Sequence, residues 1–311
     1  MTLSIKNKFV VIQRQERRKS PIIRRESPLG TFLLFSDIGR RDINKDAAGY
    51  IHREIKGNHF AAGLILDGVS SVEKSELTSF KAIEFFKETM YALTLNQLQQ
   101  FNNQLMFELI SCVQRKLVDE NIPGVTTFSA ILVSQSGILY ARIGDSPIIA
   151  INRTGKEEER LSLGLDHVLY WENREDAAVW YSPEEIQQER FELRGDEDPE
   201  SKALISLLGY PFSNQNIRVI LSFIPFLDTK NPKRSASLLY TDGIVLREQE
   251  IADTLEKGAS DHVITRIRGG QDFLRKLNLL DDSTALLFMG PLLDFKEVNR
   301  QTEELIIPAV A

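Results

Sequence analysis

A chain of 311 residues with 42% hydrophobic and 26% charged side chains has the composition of a globular protein, built on one large core or two small ones. No apolar run approaches the roughly 18 residues of a membrane-crossing helix, and a single cysteine, Cys112, excludes an internal disulfide. The net charge of −6 is unevenly placed, since residues 1–30 carry eight Lys and Arg against two Glu; the acidic remainder argues against a nucleic-acid-binding surface.

The basic stretch 1–30, with RQERRKS and IIRRESP, reads as a solvated, partly disordered extension. It would dock on a partner, on a membrane surface or on the protein's own acidic face. It has neither the continuous apolar core nor the small-residue cleavage site of a secretory signal. Together with the lone cysteine, this places the protein in a reducing, cytoplasmic compartment.

TFLLFSD (31–37) and HFAAGLILDG (59–68) follow as short buried strands. Two helical patterns come next. The first, about 74–93, is marked by Leu77, Phe80, Ile83, Phe85, Phe86 and Met90. The second, about 96–119, is marked by Leu98, Phe101, Leu105, Met106, Leu109, Ile110, Val113 and Leu117 and ends at Asn121-Ile-Pro-Gly. Cys112, inside this pattern, reads as a small buried hydrophobe. Three strand-like runs, TTFSAILVS (126–134), GILYARIG (137–144) and PIIAINR (147–153), are closely spaced, and the first two form a hairpin.

Residues 155–215 are different. From Trp171 to Glu200 there are eleven acidic residues against three basic ones, and this segment reads as a flap on the surface. IRVILSF (217–223) and ASLLYTD (236–242) are strands, 246–278 is a helical region, and STALLFM (283–289) is the last clear strand before a tail at 291–311. Strands grouped around a pair of helices, rather than alternating with them, predict an α+β fold. The expected architecture is a four-layer α-β-β-α sandwich of two mainly antiparallel sheets flanked by helices, formed by residues 31–290.

One pattern carries chemistry. An aliphatic run stops at an aspartate five times: LLFSDIG, LILDG, ARIGD, LLYTDG and NLLDD. One such Asp is usually a turn former. Several converging carboxylates repel one another unless cations sit between them, and hard divalent ions such as Mg²⁺ or Mn²⁺ suit an all-oxygen cage. A pair of these ions is a general device for phosphoester hydrolysis. His52, His59, His167 and His262 have no zinc-site spacing, and neither a phosphate-binding G-x-x-x-x-G-K-[ST] loop nor G-x-S-x-G occurs.

The ordered series SDIGRRDINKDA, LILDGVSS, two helices, PGVTTFSAILV, YARIGDSPIIAI, SLGLDHV, SLLGYP, LLYTDGIVL and LLDDSTALLFM resembles the metal-dependent serine/threonine protein phosphatases of the type 2C (PPM) class, as a divergent member. The resemblance spans about 31–290, is good at the five Asp-bearing blocks and is weak across 165–215. It implies signalling enzymes that take phosphorylated proteins as substrates. They hydrolyse phosphoserine and phosphothreonine with a metal-bound water at a binuclear Mg²⁺ or Mn²⁺ centre, with a third, weaker ion in some cases.

On this resemblance Asp67 bridges two metals, the carbonyl of Gly68 adds a ligand, and Asp242 and Asp281 supply the remaining carboxylates. Asp46 binds the centre directly or through its waters. Asp145, with Asp242, holds the weaker ion. Arg41 grips the substrate phosphate, a task suited to a guanidinium fork. Asp37 and Asp282 read as turn residues or supporting partners, not ligands. Thr126 and Thr127 read as strand packing, Asp166-His167 as structural, Asn44 as fixing the turn and Arg40 as a solvated charge.

The chain departs from the pattern at four places. Lys45 stands where the family has Glu, and a cation a few ångströms from Mn²⁺ opposes binding unless it points away. Val69 stands where animal members have His, Ser70 and Ser71 replace glycines, and Pro147 replaces an arginine. Two readings stay open: an active phosphatase, or a catalytically weakened pseudophosphatase serving as a binding or regulatory module. An unrelated binding protein with chance matches is a remote third.

Overall fold

In the computed structural model the described residues are 6–13, 21–39, 42–154, 157–163, 180–181, 207–209, 215–228, 235–241, 244, 282–296 and 298–309. The aliphatic runs become strands, as expected of segments buried on both faces. In chain order they are β1 (Lys6–Ile12), β2 (Ile23–Ser27), β3 (Gly30–Asp37), β4 (Ala47–Ile55), β5 (Asn58–Leu66), β6 (Phe128–Val133), β7 (Gly137–Ile143), β8 (Ile148–Thr154), β9 (Glu157–Leu163), β10 (Trp180–Tyr181), β11 (Ile217–Asp228), β12 (Ser235–Tyr240), β13 (Ser283–Gly290), β14 (Leu292–Leu293) and β15 (Thr302–Ile307). The helices are α1 (Ser75–Ala92), α2 (Leu95–Gln99) and α3 (Asn103–Asp119).

One sheet has eight strands in the order β1-β4-β5-β6-β7-β11-β14, with β15 also paired to β11. The other has seven, in the order β10-β9-β8-β12-β13-β3-β2. Every strand pair among the described residues is antiparallel. Phe32, Tyr50, Ile65, Ile131, Tyr140 and Phe288 fill the space between the sheets. The Phe32 ring lies 4.9 Å from Tyr50 and 4.7 Å from Phe288, tilted against both. Gly63 of β5 lets the sheets close: a Cβ there would lie 2.7 Å from Leu286 Cδ1.

The outer face of the eight-stranded sheet is covered by α1 and α3. Ile83, Phe86 and Met90 from α1, and Met106, Leu109, Ile110, Val113 and Leu117 from α3, pack on Ile51, Leu64, Phe128 and Leu132. Local chemistry sets the helix ends. Asn102 caps α3 by accepting from Leu105 N–H, and Thr94 and Gln97 form a capping box on α2. The last carbonyls of α1 are met by the buried Arg53 guanidinium, which donates to Met90 and Leu93 oxygens.

The outer face of the seven-stranded sheet is also apolar and buried, through Leu33, Phe35, Ile149, Ile151, Leu238 and Leu287. The expected helical region 246–278 lies outside the described residues. The fold is the expected α+β sandwich of two antiparallel sheets.

Several expectations need correction. The basic arm is not simply a solvated extension: Lys6–Ile12 pairs with β4 and Ile23–Ser27 pairs with β3. These are edge strands, so their charges can point to water while Phe9 and Val11 pack on the helix-side core. Part of the 291–311 tail is likewise sheet, as β15 along β11. Within the flap-like stretch, Glu157–Leu163 pairs with β8 and Trp180–Tyr181 with β9. The second helical pattern is split into α2 and α3. Cys112 is half-buried on α3 rather than in the core. Strand β4 has no counterpart among the expected elements.

Candidate active site

The antiparallel register gathers the acids. Ala47 opposes Leu66 and Phe128 opposes Ile143 in one sheet; Asp37 opposes Ser283 and Tyr240 opposes Ala285 in the other. The ends of β3, β5, β7 and β12 and the starts of β4, β6, β8 and β13 therefore share one end of the sandwich. Asp37, Asp46, Asp67, Asp145 and Asp282 all sit at that end. Arg41, Asp242, Asp281, Arg40 and the pair Asp166-His167 lie outside the described residues. Thr241 and Asp282, the chain neighbours of Asp242 and Asp281, are described, and both belong to this end.

Asp46 is buried and tied to both sheets. Its Oδ2 accepts from Thr241 Oγ1 at 2.8 Å, and its N–H donates to Asn44 Oδ1 at 3.0 Å. Asn44 Nδ2 donates to Ser36 Oγ at 2.9 Å, and Thr284 Oγ1 donates to the same oxygen at 2.8 Å. Asn44 does fix the turn. Ser36, Thr241 and Thr284 were not singled out from the sequence. The signal that could have found them is a Ser or Thr beside the acid at each strand end: Ser36-Asp37, Thr241-Asp242, Asp145-Ser146 and Asp282-Ser283-Thr284.

Asp67 follows β5 and has its main chain held on both sides. Its N–H donates to Thr127 Oγ1 at 3.0 Å, and its carbonyl accepts from Thr127 N–H at 2.9 Å and Thr126 Oγ1 at 3.0 Å. Thr126 Oγ1 in turn lies 2.9 Å from Ser79 Oγ of α1. The two threonines lie just before β6 rather than in a strand, Thr126 making only isolated bridges to Gly68 and Leu208, and both hold the main chain of the acid. Thr127 Oγ1 and Ser146 Oγ are 2.8 Å apart, and Ser129 Oγ donates to Ser146 O at 2.6 Å, so the turn bearing Asp145 is sewn to β6. Asp67 and Asp145 are both partly exposed.

Gly68 bridges to Thr126. A Cβ at Gly68 would lie 2.6 Å from Lys45 O and 2.9 Å from Lys45 Cβ, so no larger residue fits without displacement. Asp282 is buried, and its carboxylate accepts from Gly39 N–H at 2.8 Å and Lys45 N–H at 2.9 Å. It braces the two ends of the segment that contains Arg41, a supporting role as expected. The Lys45 ammonium donates to Ser70 O at 3.0 Å and Val72 O at 2.8 Å.

Among the described residues, no group of three or more His, Cys, Asp or Glu side chains is placed to hold a metal ion. The expected set is completed only by Asp242 and Asp281. As donors, four carboxylates and the Gly68 carbonyl are all hard oxygens, which fits Mg²⁺ or Mn²⁺ and not a soft metal.

No protein-family model and no curated protein matches the sequence. Solved structures do match in fold. The serine/threonine phosphatase Stp1 from Staphylococcus aureus is 20% identical with a TM-score of 0.57, over 86% of this chain and 98% of that one. The serine/threonine phosphatase of S. agalactiae is 19% identical with a TM-score of 0.57, over 83% and 98%. The PPM Ser-Thr phosphatase MsPP from Mycobacterium smegmatis, solved with cacodylate, is 19% identical with a TM-score of 0.54, over 84% and 98%. At these identities the likeness is one of fold: the chain has the fold of the PPM-type, or type 2C, serine/threonine phosphatases.

Proposed function

We propose that the chain is a divergent type 2C phosphatase that hydrolyses phosphoserine and phosphothreonine in proteins with the help of Mn²⁺ or Mg²⁺. The observation that carries this reading is the meeting of Asp46, from the eight-stranded sheet, with Thr241, from the seven-stranded sheet, at the end of the sandwich where Asp67 and Asp282 also stand. Asp67, the Gly68 carbonyl, Asp46, Asp242 and Asp281 would hold two ions, and Asp145 with Asp242 a third. Such ions offset phosphoryl charge and lower the pKa of a bound water.

The chain's own residues supply positioning. Arg41 would meet two phosphate oxygens, and Asp282 holds the main chain on either side of it. Thr126 and Thr127 fix the backbone of Asp67, so the main chain that carries its carboxylate is placed before substrate arrives. The weakened-pseudophosphatase alternative rests on Lys45, and the hydrogen bonds of its ammonium to Ser70 and Val72 speak for the active reading.

Phosphoprotein recognition is assigned to surface loops and the 155–215 region, and a cytoplasmic setting is part of the proposal, with which the lone cysteine is consistent. No helix among the described residues is long and apolar enough to cross a membrane. The test is turnover of p-nitrophenyl phosphate and a phosphopeptide with Mn²⁺ or with chelator, beside Asp67→Asn and Asp242→Ala. Metal-dependent turnover lost in both variants is the expected result. An intact protein with no turnover and no Mn²⁺ binding by calorimetry would refute it.

A further inference from the structure

Lys45 stands where the type 2C pattern carries an acid, and it touches two segments of the site at once, 68–72 and Asp282. Its ammonium donates to the carbonyls of Ser70 at 3.0 Å and Val72 at 2.8 Å. Its N–H donates to the Asp282 carboxylate at 2.9 Å. Its carbonyl and Cβ are the atoms that leave no room for a side chain at Gly68. The turn it grips has other ties of ordinary, uncharged kind: Val69 N–H donates to Val125 O and Val72 N–H to Val69 O, both at 3.2 Å, and Ser75 Oγ donates to the same Val72 carbonyl at 3.1 Å. Helix α1 starts just beyond with Lys74 at φ 60° and no side-chain cap. A charged donor shared by two carbonyls is among the stronger local restraints available there.

We propose that Lys45 is a positioning residue, a clasp that fixes the turn 70–72, directly after Asp67 and Gly68, against residues 42–46, so that the metal-holding and phosphate-gripping parts of the site keep one spacing. The proposal rests on the phosphatase reading of the site. A glutamate here would turn a negative charge toward the same two carbonyl oxygens and push the turn away instead of holding it. The sequence pattern alone would have it strengthen the metal site.

The experiment uses the full chain with Lys45→Met, Lys45→Arg and Lys45→Glu. It combines Mn²⁺ titration by calorimetry, kcat and KM on a phosphopeptide, and amide hydrogen exchange across 69–74 in metal-free protein. Lys45→Met is expected to weaken Mn²⁺ binding about tenfold and lower kcat by a similar factor, with KM within about twofold. Lys45→Arg recovers most of both, Lys45→Glu binds Mn²⁺ no better than Lys45→Met, and exchange accelerates in the Met and Glu variants only.

Unchanged Mn²⁺ affinity in Lys45→Met, or tighter binding in Lys45→Glu, overturns the positioning role. A wild-type chain that neither binds Mn²⁺ nor turns over phosphopeptide overturns the phosphatase reading, and with it any role for Lys45 in catalysis. The exchange data then judge the clasp by itself, and unchanged exchange in Lys45→Met refutes that too.

Discussion

Thr241 Oγ1 donates to Asp46 Oδ2 across 2.8 Å, joining the residue directly after β12 in one sheet to the residue directly before β4 in the other. Both groups are buried. The same Thr241 oxygen accepts from Thr284 N–H at 3.0 Å, so one hydroxyl spans three strand ends. Thr241→Val keeps the shape and removes the donor. The loss expected is about 1.5–3 kcal/mol, the range for a buried hydrogen bond to a charged group, measured by urea unfolding. Thr241→Ser should stay close to wild type, and equal losses for the two would show that the methyl, not the hydroxyl, matters.

Gly68 offers a sharper steric test. In Gly68→Ala the new methyl meets Lys45 O at 2.6 Å and Ser75 O at 3.0 Å, both backbone atoms that cannot swing aside. Overpacking of this kind costs about 1–3 kcal/mol. The displaced segment carries the carbonyl proposed as a ligand, so on that reading Mn²⁺ affinity should fall along with stability. Calorimetry and thermal unfolding on the same sample check both, and wild-type Mn²⁺ binding would remove Gly68 from the site.

Much of this fold is legible in the aliphatic runs, because strands buried on both faces read as nearly unbroken hydrophobic sequence. Strand β4 escapes that logic. AAGYIHREI breaks its apolar run with His52, Arg53 and Glu54, and the charge of Arg53 is met by carbonyls at Met90 and Leu93, far along the chain. The edge strands β1 and β2 escape it because an edge tolerates charge. At the site, acids at strand ends could be read from their neighbours in sequence. The hydroxyls of Ser36, Thr241 and Thr284 are marked in sequence only by standing beside those acids, and which groups they bond is not legible, since their partners come from other segments. The direction of the Lys45 side chain was beyond sequence for the same reason: it is set by where the turn 70–72 lies.

At the other end of the sheets, His52 and His59 stack with ring centroids 5.5 Å apart, and His59 Nδ1 lies 3.3 Å from His52 Nε2. Burial first, then the charges of His59 and Lys8, lower the His52 pKa below its ordinary 6.5. The unfolded chain therefore binds the proton more readily than the folded one. The stability contributed is full above about pH 6.5, the unfolded value, and is lost as pH falls through the lowered folded value. Chemical denaturation from pH 8 to pH 5 should show an acid loss that is reduced in His52→Phe. An unaltered slope would mean that His52 does not govern it.

Asp282 permits a test that separates substrate grip from metal binding. Its two carboxylate oxygens each accept one backbone N–H, from Gly39 and from Lys45. Asn in its place offers one oxygen and one NH₂ group, so one N–H must face another donor. Leaving such a buried group unsatisfied costs about 1–3 kcal/mol, and the segment between residues 39 and 45 gains freedom. If Arg41 in that segment holds the phosphate, Asp282→Asn should raise KM for a phosphopeptide about tenfold or more, while kcat falls less. Mn²⁺ affinity should drop far less than in Asp67→Asn. Matched losses of Mn²⁺ binding in the two variants would instead make Asp282 part of the metal shell, and the brace would have to be assigned elsewhere.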